Sequence, residues 1–388
     1  MRLVLFALFL PQLGIATERP LQLLPAEKLI PLAPTLRQSE VALIESLPDG
    51  KMRQVTIFTL VAAPPAVVRD VLLNPERYPE FMRNLTESKV TRHSDGTIVQ
   101  DFYLDFKITH LVGTSRYRTN SDGSVDVKAI DPNDDGVYRW EFYPVPGGTV
   151  MVLYGYTDVL HSNGFVRSIT DRMPSMEHAL GLATQLVYTR SIRDRAQQLA
   201  KPGSFLPPDL KAKSPGLDFL LKRGRVALMR SHADGSLSDI SVIDHIYAPR
   251  SRVIDALLHP AAYPKFIDGV KSCEEMARGE HELTYHIEND ISVLRWDSRF
   301  ALRSDERGIV DAYGTSGDLE GAHYRWDLTS VSERDTLAVF RARIDLRAAS
   351  PLVLGILFRV EPRFEHGLAV SVGLVQMNGV RGRAEGWR

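Results

Sequence analysis

Apolar and polar residues alternate along several stretches of the chain. Phe102, Leu104, Phe106 and Ile108 point to one side of an extended segment, while Asp101, Tyr103, Asp105 and Lys107 point to the other. Tyr138, Trp140 and Phe142 alternate with Arg139 and Glu141 in the same way. Further on, Leu283, Tyr285 and Ile287 stand against Glu282, Thr284, His286 and Glu288, and Leu294, Trp296 and Phe300 against Arg295, Asp297 and Arg299. One oily and one wet face is the pattern of an antiparallel sheet. Upstream, residues 41–44 and 55–61 predict a strand pair closed at Pro48-Asp49-Gly50. Pro64-Pro65 opens a short helix over residues 66–73, with Val67, Val68, Val71 and Leu72 on one side and Asn74-Pro75 as its stop. A second short turn carries Tyr78, Phe81 and Met82, and a long helix is predicted from Pro174 to about Leu199. Two strands, two small helices, about five more strands and one long helix make an α+β unit.

The unit occurs twice. LLNPERYPEF (72–81) returns 185 positions later as LLHPAAYPKF (257–266), and VALIESLPDG (41–50) as VALMRSHADG (226–235). Ala63-Pro64 falls on Ala248-Pro249 and Asp70 on Asp255; with one added residue, Tyr138-Arg139-Trp140 falls on Tyr324-Arg325-Trp326. With two more, PSMEHAL (174–180) meets PRFEHGL (362–368), the head of a second long helix running to about Ala384. Gaps confined to turns are what a duplicated domain shows. The expected organisation is a signal peptide at 1–16, an N-terminal extension at 17–36, one domain at 37–200, a Pro-, Gly- and Lys-rich linker at 201–220 and a second domain at 221–388.

A chain of 388 residues is comfortable for two cores. Its formal charge of −1 and lack of like-charge runs argue against nucleic acid as a partner. Arg2, an apolar run from Leu3 to Leu10, and Gly14 and Ala16 have the layout of a secretory signal cleaved near Ala16, so export to a periplasm or the exterior is expected. Cys273 is the single cysteine, and one cysteine cannot staple a domain. There is no nucleophile elbow, no glycine-rich phosphate loop and no zinc-binding helix motif. His178 and His366 follow Glu177 and Glu365, but neighbours on a helix diverge by about 100° and cannot grip one ion. Neither a metal nor a cofactor is expected, and the two glutamates suit the positive end of a helix dipole. Arg193, Arg195, Arg381 and Arg383, near helix C-termini, suit a solvated, dipole-matching role. The ionisable residues whose facing the pattern leaves open are Asp158, His161 and Asp311, where an acid/base pair would be sought first.

The element order, together with A-P-x-x-x-V-x-D-x-L-L-x-P-x-x-Y-P-x-F in both copies, resembles the START-like superfamily of lipid-transfer domains, coenzyme-Q-binding proteins and polyketide cyclases. The resemblance implies a helix-grip fold, a curved antiparallel sheet wrapped around a long C-terminal helix with a hydrophobic cavity between them. The two prolines of each motif would then fix a corner beside the cavity mouth, pinned to the sheet by its aromatics. The residues expected at the ligand are Tyr78, Phe81, Phe102, Leu104, Phe106, Tyr117, Tyr138, Trp140 and Phe142 in the first copy. In the second they are Tyr263, Phe266, Tyr285, Trp296, Phe300, Tyr324 and Trp326. Tyrosine hydroxyls and the Trp N–H would orient an apolar ligand, and the competing role for each ring is plain core. Three functions follow: non-catalytic binding or transfer of a lipid, isoprenoid, quinone or polyketide; a cyclase or dehydratase, which needs a charged pair inside; or an interaction module whose cavities are filled by their own side chains. The uncharged run 351–358, followed by Arg359 and Arg363, could act as a flap making transient contact with a membrane surface, or be buried against the rest of the chain.

Overall fold

The computed structural model describes residues 20–48, 50–105, 110–131, 136–156, 175–200, 216–280, 282–291, 294–349 and 361–387, with 355, 358 and 359. The signal segment 1–16, Phe106, Asp158, His161, residues 201–215 of the linker and most of the 351–358 run lie outside the described residues.

The first half contains β1 (Glu40–Ser46), β2 (Met52–Val61), β3 (Leu85–Arg92), β4 (Ile98–Asp105), β5 (His110–Thr119), β6 (Val125–Asp131), β7 (Val137–Val145) and β8 (Gly148–Tyr156). The second contains β9 (Arg225–Ser231), β10 (Leu237–Ile246), β11 (Val270–Arg278), β12 (Glu282–Ile291), β13 (Leu294–Ser304), β14 (Ile309–Gly317), β15 (His323–Ser332) and β16 (Asp335–Arg343). Helix α1 (Pro65–Leu73) follows β2, and α2 (Ser175–Leu199) follows β8. Helix α3 (Arg250–Leu257) and helix α4 (Phe364–Glu385) hold the corresponding places in the second half. Six strands, rather than about five, separate the small helices from each long one among the described residues.

All sixteen strands belong to one antiparallel sheet, ordered β11-β12-β13-β14-β15-β16-β10-β9-β1-β2-β8-β7-β6-β5-β4-β3. The halves join where β1 pairs with β9: Val41 lies opposite Leu228, Ala42 opposite Ala227 and Leu43 opposite Val226. Ala42 faces its own repeat-equivalent, and Val41 and Leu43 each face the equivalent of the other, so the register is self-complementary about Ala42 and Ala227, as at a two-fold interface. The pairing also removes two exposed strand edges.

The alternating pattern breaks down at this join. Strands β1, β2 and β8 are buried on both faces. Ala42, Ile44, Val55 and Ile57 face Leu182 and Leu186 of α2, while Val41, Leu43, Phe58, Val150 and Val152 pack on the other side with Leu29, Leu32 and Leu36 of the N-terminal extension and Leu220. The extension is held there by Gln54, which accepts from the Gln22 N–H (2.8 Å) and donates to the Gln22 carbonyl (3.0 Å). The two long helices lie against one another closely enough that a Cβ at Gly367 would come within 2.3 Å of that of Ala183.

The corner after α1 is a short 3-10 turn, Pro75–Glu80. The Tyr78 hydroxyl donates to the Leu72 carbonyl (2.7 Å), and Tyr263 does the same to Leu257 (2.6 Å). Both tyrosines also meet the next aromatic, Phe81 or Phe266, edge to face. Each hydroxyl therefore satisfies a carbonyl left open in the last turn of a short helix.

Candidate functional site

Two interiors are formed between the sheet and the long helices. In the second half, Tyr285 of β12, Phe300 of β13 and Tyr324 of β15 stack with centroids 5.4–5.6 Å apart, the last two across β14, and Phe340 closes the row against Tyr324 and Trp326. Trp296 spends its indole N–H on the Ala349 carbonyl (2.7 Å). Tyr263, Tyr285, Trp296, Phe300, Tyr324 and Trp326 all border one cavity, of about 80 Å³. Phe266 is buried behind Tyr263. Pockets for drug-sized ligands run from roughly 300 Å³, so this interior is largely filled by its own rings. Asp268 is the carboxylate that borders it. Asp311 does not: Val310 and Ala312 face the cavity, and Asp311 points away, accepting from His323 Nε2 at 2.8 Å.

The first interior is different. Tyr78, Tyr117 and Trp140 are fully buried, but Phe81, Phe102, Leu104, Tyr138 and Phe142 are only half-buried around them. A hydrogen-bond chain crosses it. The Tyr117 hydroxyl donates to Gln100 Oε1 (2.6 Å), the Gln100 amide to Ser88 Oγ (2.9 Å), and Ser88 to the Pro75 carbonyl (2.7 Å). Because the Tyr117 proton is committed, the 2.8 Å contact with Tyr188 is a donation from the Tyr188 hydroxyl. Burial pushes both phenols well above their usual range, so they are hydroxyl donors and not bases. Trp140 Nε1 and both amide atoms of Gln185 are buried without a hydrogen-bond partner among the described residues.

Gln100, Gln185 and Tyr188 were not among the residues expected at the site. Gln100 had a signal: it shares the inward register of Ile98 and Phe102. The two α2 residues had none, because that helix is enclosed on several sides and shows no polar stripe.

Each of the paired histidines meets a serine hydroxyl. Among the described residues no group of His, Cys, Asp and Glu could hold a metal ion. His178 Nε2 meets Ser46 Oγ at 3.2 Å, and His366 Nε2 meets Ser231 Oγ at 3.0 Å. Burial lowers their pKa values to about 4 and about 3. Glu365 is buried and paired with Arg347, while the Glu177 side chain lies outside the described residues.

The arginines near the helix ends depart from the solvated role expected of them. Arg190 Nε and Arg193 Nη1 each donate to Glu40 at 2.6 Å, Arg195 pairs with Glu80, and Arg381 with Asp244 and Glu385; Arg383 alone of the four expected remains exposed. Burial pushes the Glu40 carboxyl up, but Arg190 and Arg193 outweigh it and hold the group at about 2. Arg363 bonds Ser191 (2.7 Å) and Asp194 (2.9 Å) of α2. Its ion pair adds to the contact between halves. No described helix is long and apolar enough to cross a membrane.

Residues 61–162 match the family model described as "Polyketide cyclase / dehydrase and lipid transport". The chain thus resembles the START-like proteins to which its paired prolines pointed. No curated protein matches it. Among solved structures it is similar to the di-domain ARO/CYC StfQ from the steffimycin biosynthetic pathway (14% identity over 84% of this chain and 97% of that one, TM-score 0.29). It is similar also to a STAR-related lipid transfer protein from Xanthomonas axonopodis (15%, 39% and 93%, 0.30) and to human STARD10 (13%, 42% and 71%, 0.33). Identities and scores this low say nothing of ligand or activity.

Proposed function

We propose that the protein binds a hydrophobic small molecule without transforming it, and that the first half holds it. The observation carrying this reading is the contrast between the interiors: five of the inward apolar side chains of the first half are half-buried, whereas the second half closes its own to a cavity of about 80 Å³. The polar groups on the first interior are hydroxyl, amide and indole, with the guanidinium groups of Arg69 and Arg195 over the Phe142 and Phe81 rings; all of these are poor acids and bases at neutral pH. The family description covering residues 61–162 includes lipid transport, in keeping with an apolar cargo.

Native mass spectrometry of protein purified from its own host, followed by organic extraction, tests the reading. One apolar molecule per chain, unchanged after prolonged incubation, is the expected result. Conversion of that molecule to a cyclised or dehydrated product would replace binding with catalysis, and preparations without extractable ligand or saturable binding of apolar dyes would overturn it. The same reading takes residues 1–16 as an export signal, so the secreted protein should begin just after Ala16; a mature chain that starts at Met1 would refute it.

A further inference from the structure

The first interior carries polar groups that the fold itself leaves unused. Gln185 is 1% exposed and Trp140 0% exposed, yet the Gln185 carbonyl, the Gln185 amide and the Trp140 N–H have no partner among the described residues. Burying such groups unpaired is costly, so a site that keeps them has something to bond. The neighbouring hydroxyls have no proton to spare for the Gln185 carbonyl. Tyr188 donates to Tyr117, Tyr117 to Gln100, and the Gln100 amide to Ser88, so the protons of that chain are committed.

The indole of Trp140 lies 5.6 Å from the Tyr188 ring, and Gln185 stands one turn before Tyr188 on α2. The amide rests over Gly155 of β8, where a Cβ would come within 2.8 Å of it, so the strand makes room for this side chain. The second half lacks the arrangement. Counting the helix repeat, Gly373 stands where Gln185 does, and Val242, Ile240 and Phe340 crowd the place a side chain would take. Orphaned polar groups and half-buried rings thus coincide in one half, and a largely filled interior with a helix glycine in the other.

Gln185 offers an acceptor and a donor, and Trp140 a donor. A hydroxyl group complements both: its proton goes to Gln185 Oε1, and its oxygen accepts from an N–H. An ether or ketone satisfies only the donors, and a hydrocarbon satisfies neither. Resting on the reading that the first half binds an apolar molecule, we propose that Gln185 and Trp140 select an apolar ligand bearing a hydroxyl, of the alcohol or phenol class.

Equilibrium binding of 1-naphthol, 1-methoxynaphthalene and naphthalene to the full chain tests this. The expected order for the wild type is naphthol tightest, by about tenfold over naphthalene, with the ether between them. Gln185→Met, close in volume, should abolish the preference for naphthol over the ether while leaving naphthalene binding unchanged, and Trp140→Phe should reduce the advantage of both oxygenated probes. Gln376→Met, on the wall of the second cavity, should change nothing. Circular dichroism and thermal melts establish that each variant is folded, and a Gln185→Leu variant takes over if Gln185→Met is not. Equal affinity of the three probes for the wild type, as when ordered water alone satisfies the amide, would overturn the selectivity while leaving apolar binding intact. Loss of the preference in Gln376→Met would move the site to the second half and overturn it equally. Failure of all three probes to bind would bring down the binding reading as well.

Discussion

Glu40 is the residue on which most depends at the join. It lies on β1, and its carboxylate takes Arg190 and Arg193 from α2, while Arg190 reaches on to Ser231 of β9 at 3.3 Å. Removing one member of a buried ion pair leaves the other uncompensated, and this typically costs ~3–5 kcal/mol. Glu40→Gln should therefore lower unfolding stability in chemical denaturation by about that amount, and the double variant Glu40→Leu, Arg190→Leu by less than the sum of the single changes. A milder case is the corner tyrosine. Tyr78→Phe and Tyr263→Phe each remove one buried hydrogen bond to the end of a short helix, at an expected cost of roughly 1–2 kcal/mol because the carbonyl is left unpaired. Equal effects at the two sites, measured by denaturant midpoint, would match the equal geometry. At this scale the sequence was legible where a residue sits on a strand: the register that placed Phe102 inside also placed Gln100 there. It was silent for Gln185, whose amide finds no partner among the described residues.

Among the elements, the strand pair β1 and β9 has consequences for the expected division at residues 201–220. Each half has its own hairpin, its own short helix and corner, and its own long helix, yet the sheet runs through the join and the N-terminal extension covers it on the outer side. Val41, Leu43 and Val226 are buried there, and the two long helices touch on the inner side. A protease site inserted between Lys211 and Ala212 should therefore give two pieces that co-elute in gel filtration and melt in a single cooperative transition. Separate peaks would mean that the halves are held together by the linker alone. The alternation that makes β4, β7, β12 and β13 easy to read fails for β1, β2 and β8, because their second face meets another part of the chain instead of water.

For the whole molecule, acid is the perturbation whose effect the buried groups determine. His178 and His366 titrate near 6.5 when unfolded but at about 4 and about 3 when folded, so between those values the unfolded chain binds more protons and stability falls as pH drops below about 6.5. Glu40, lowered to about 2, adds a further loss as pH falls from about 4.5. Glu45, Glu361 and Glu365 have values raised by burial and act in the opposite sense, so the variants carry the test. Denaturant midpoints measured from pH 7 to 4 should fall less steeply for His178→Gln with His366→Gln than for the wild type; parallel curves would show the imidazoles to be uninvolved. By itself the sequence determined the duplicated order of elements, the corner motif and the inward rings, since these follow from period-two alternation and from proline geometry, both local in the chain. Only the tertiary structure decided that the two halves share one sheet, that the second interior closes to a cavity of about 80 Å³ while five inward side chains of the first stay half-buried, and that Gln185 and Trp140 lack partners among the described residues. Pairing, filling and satisfaction depend on atoms brought together from distant parts of the chain, and no local pattern records them.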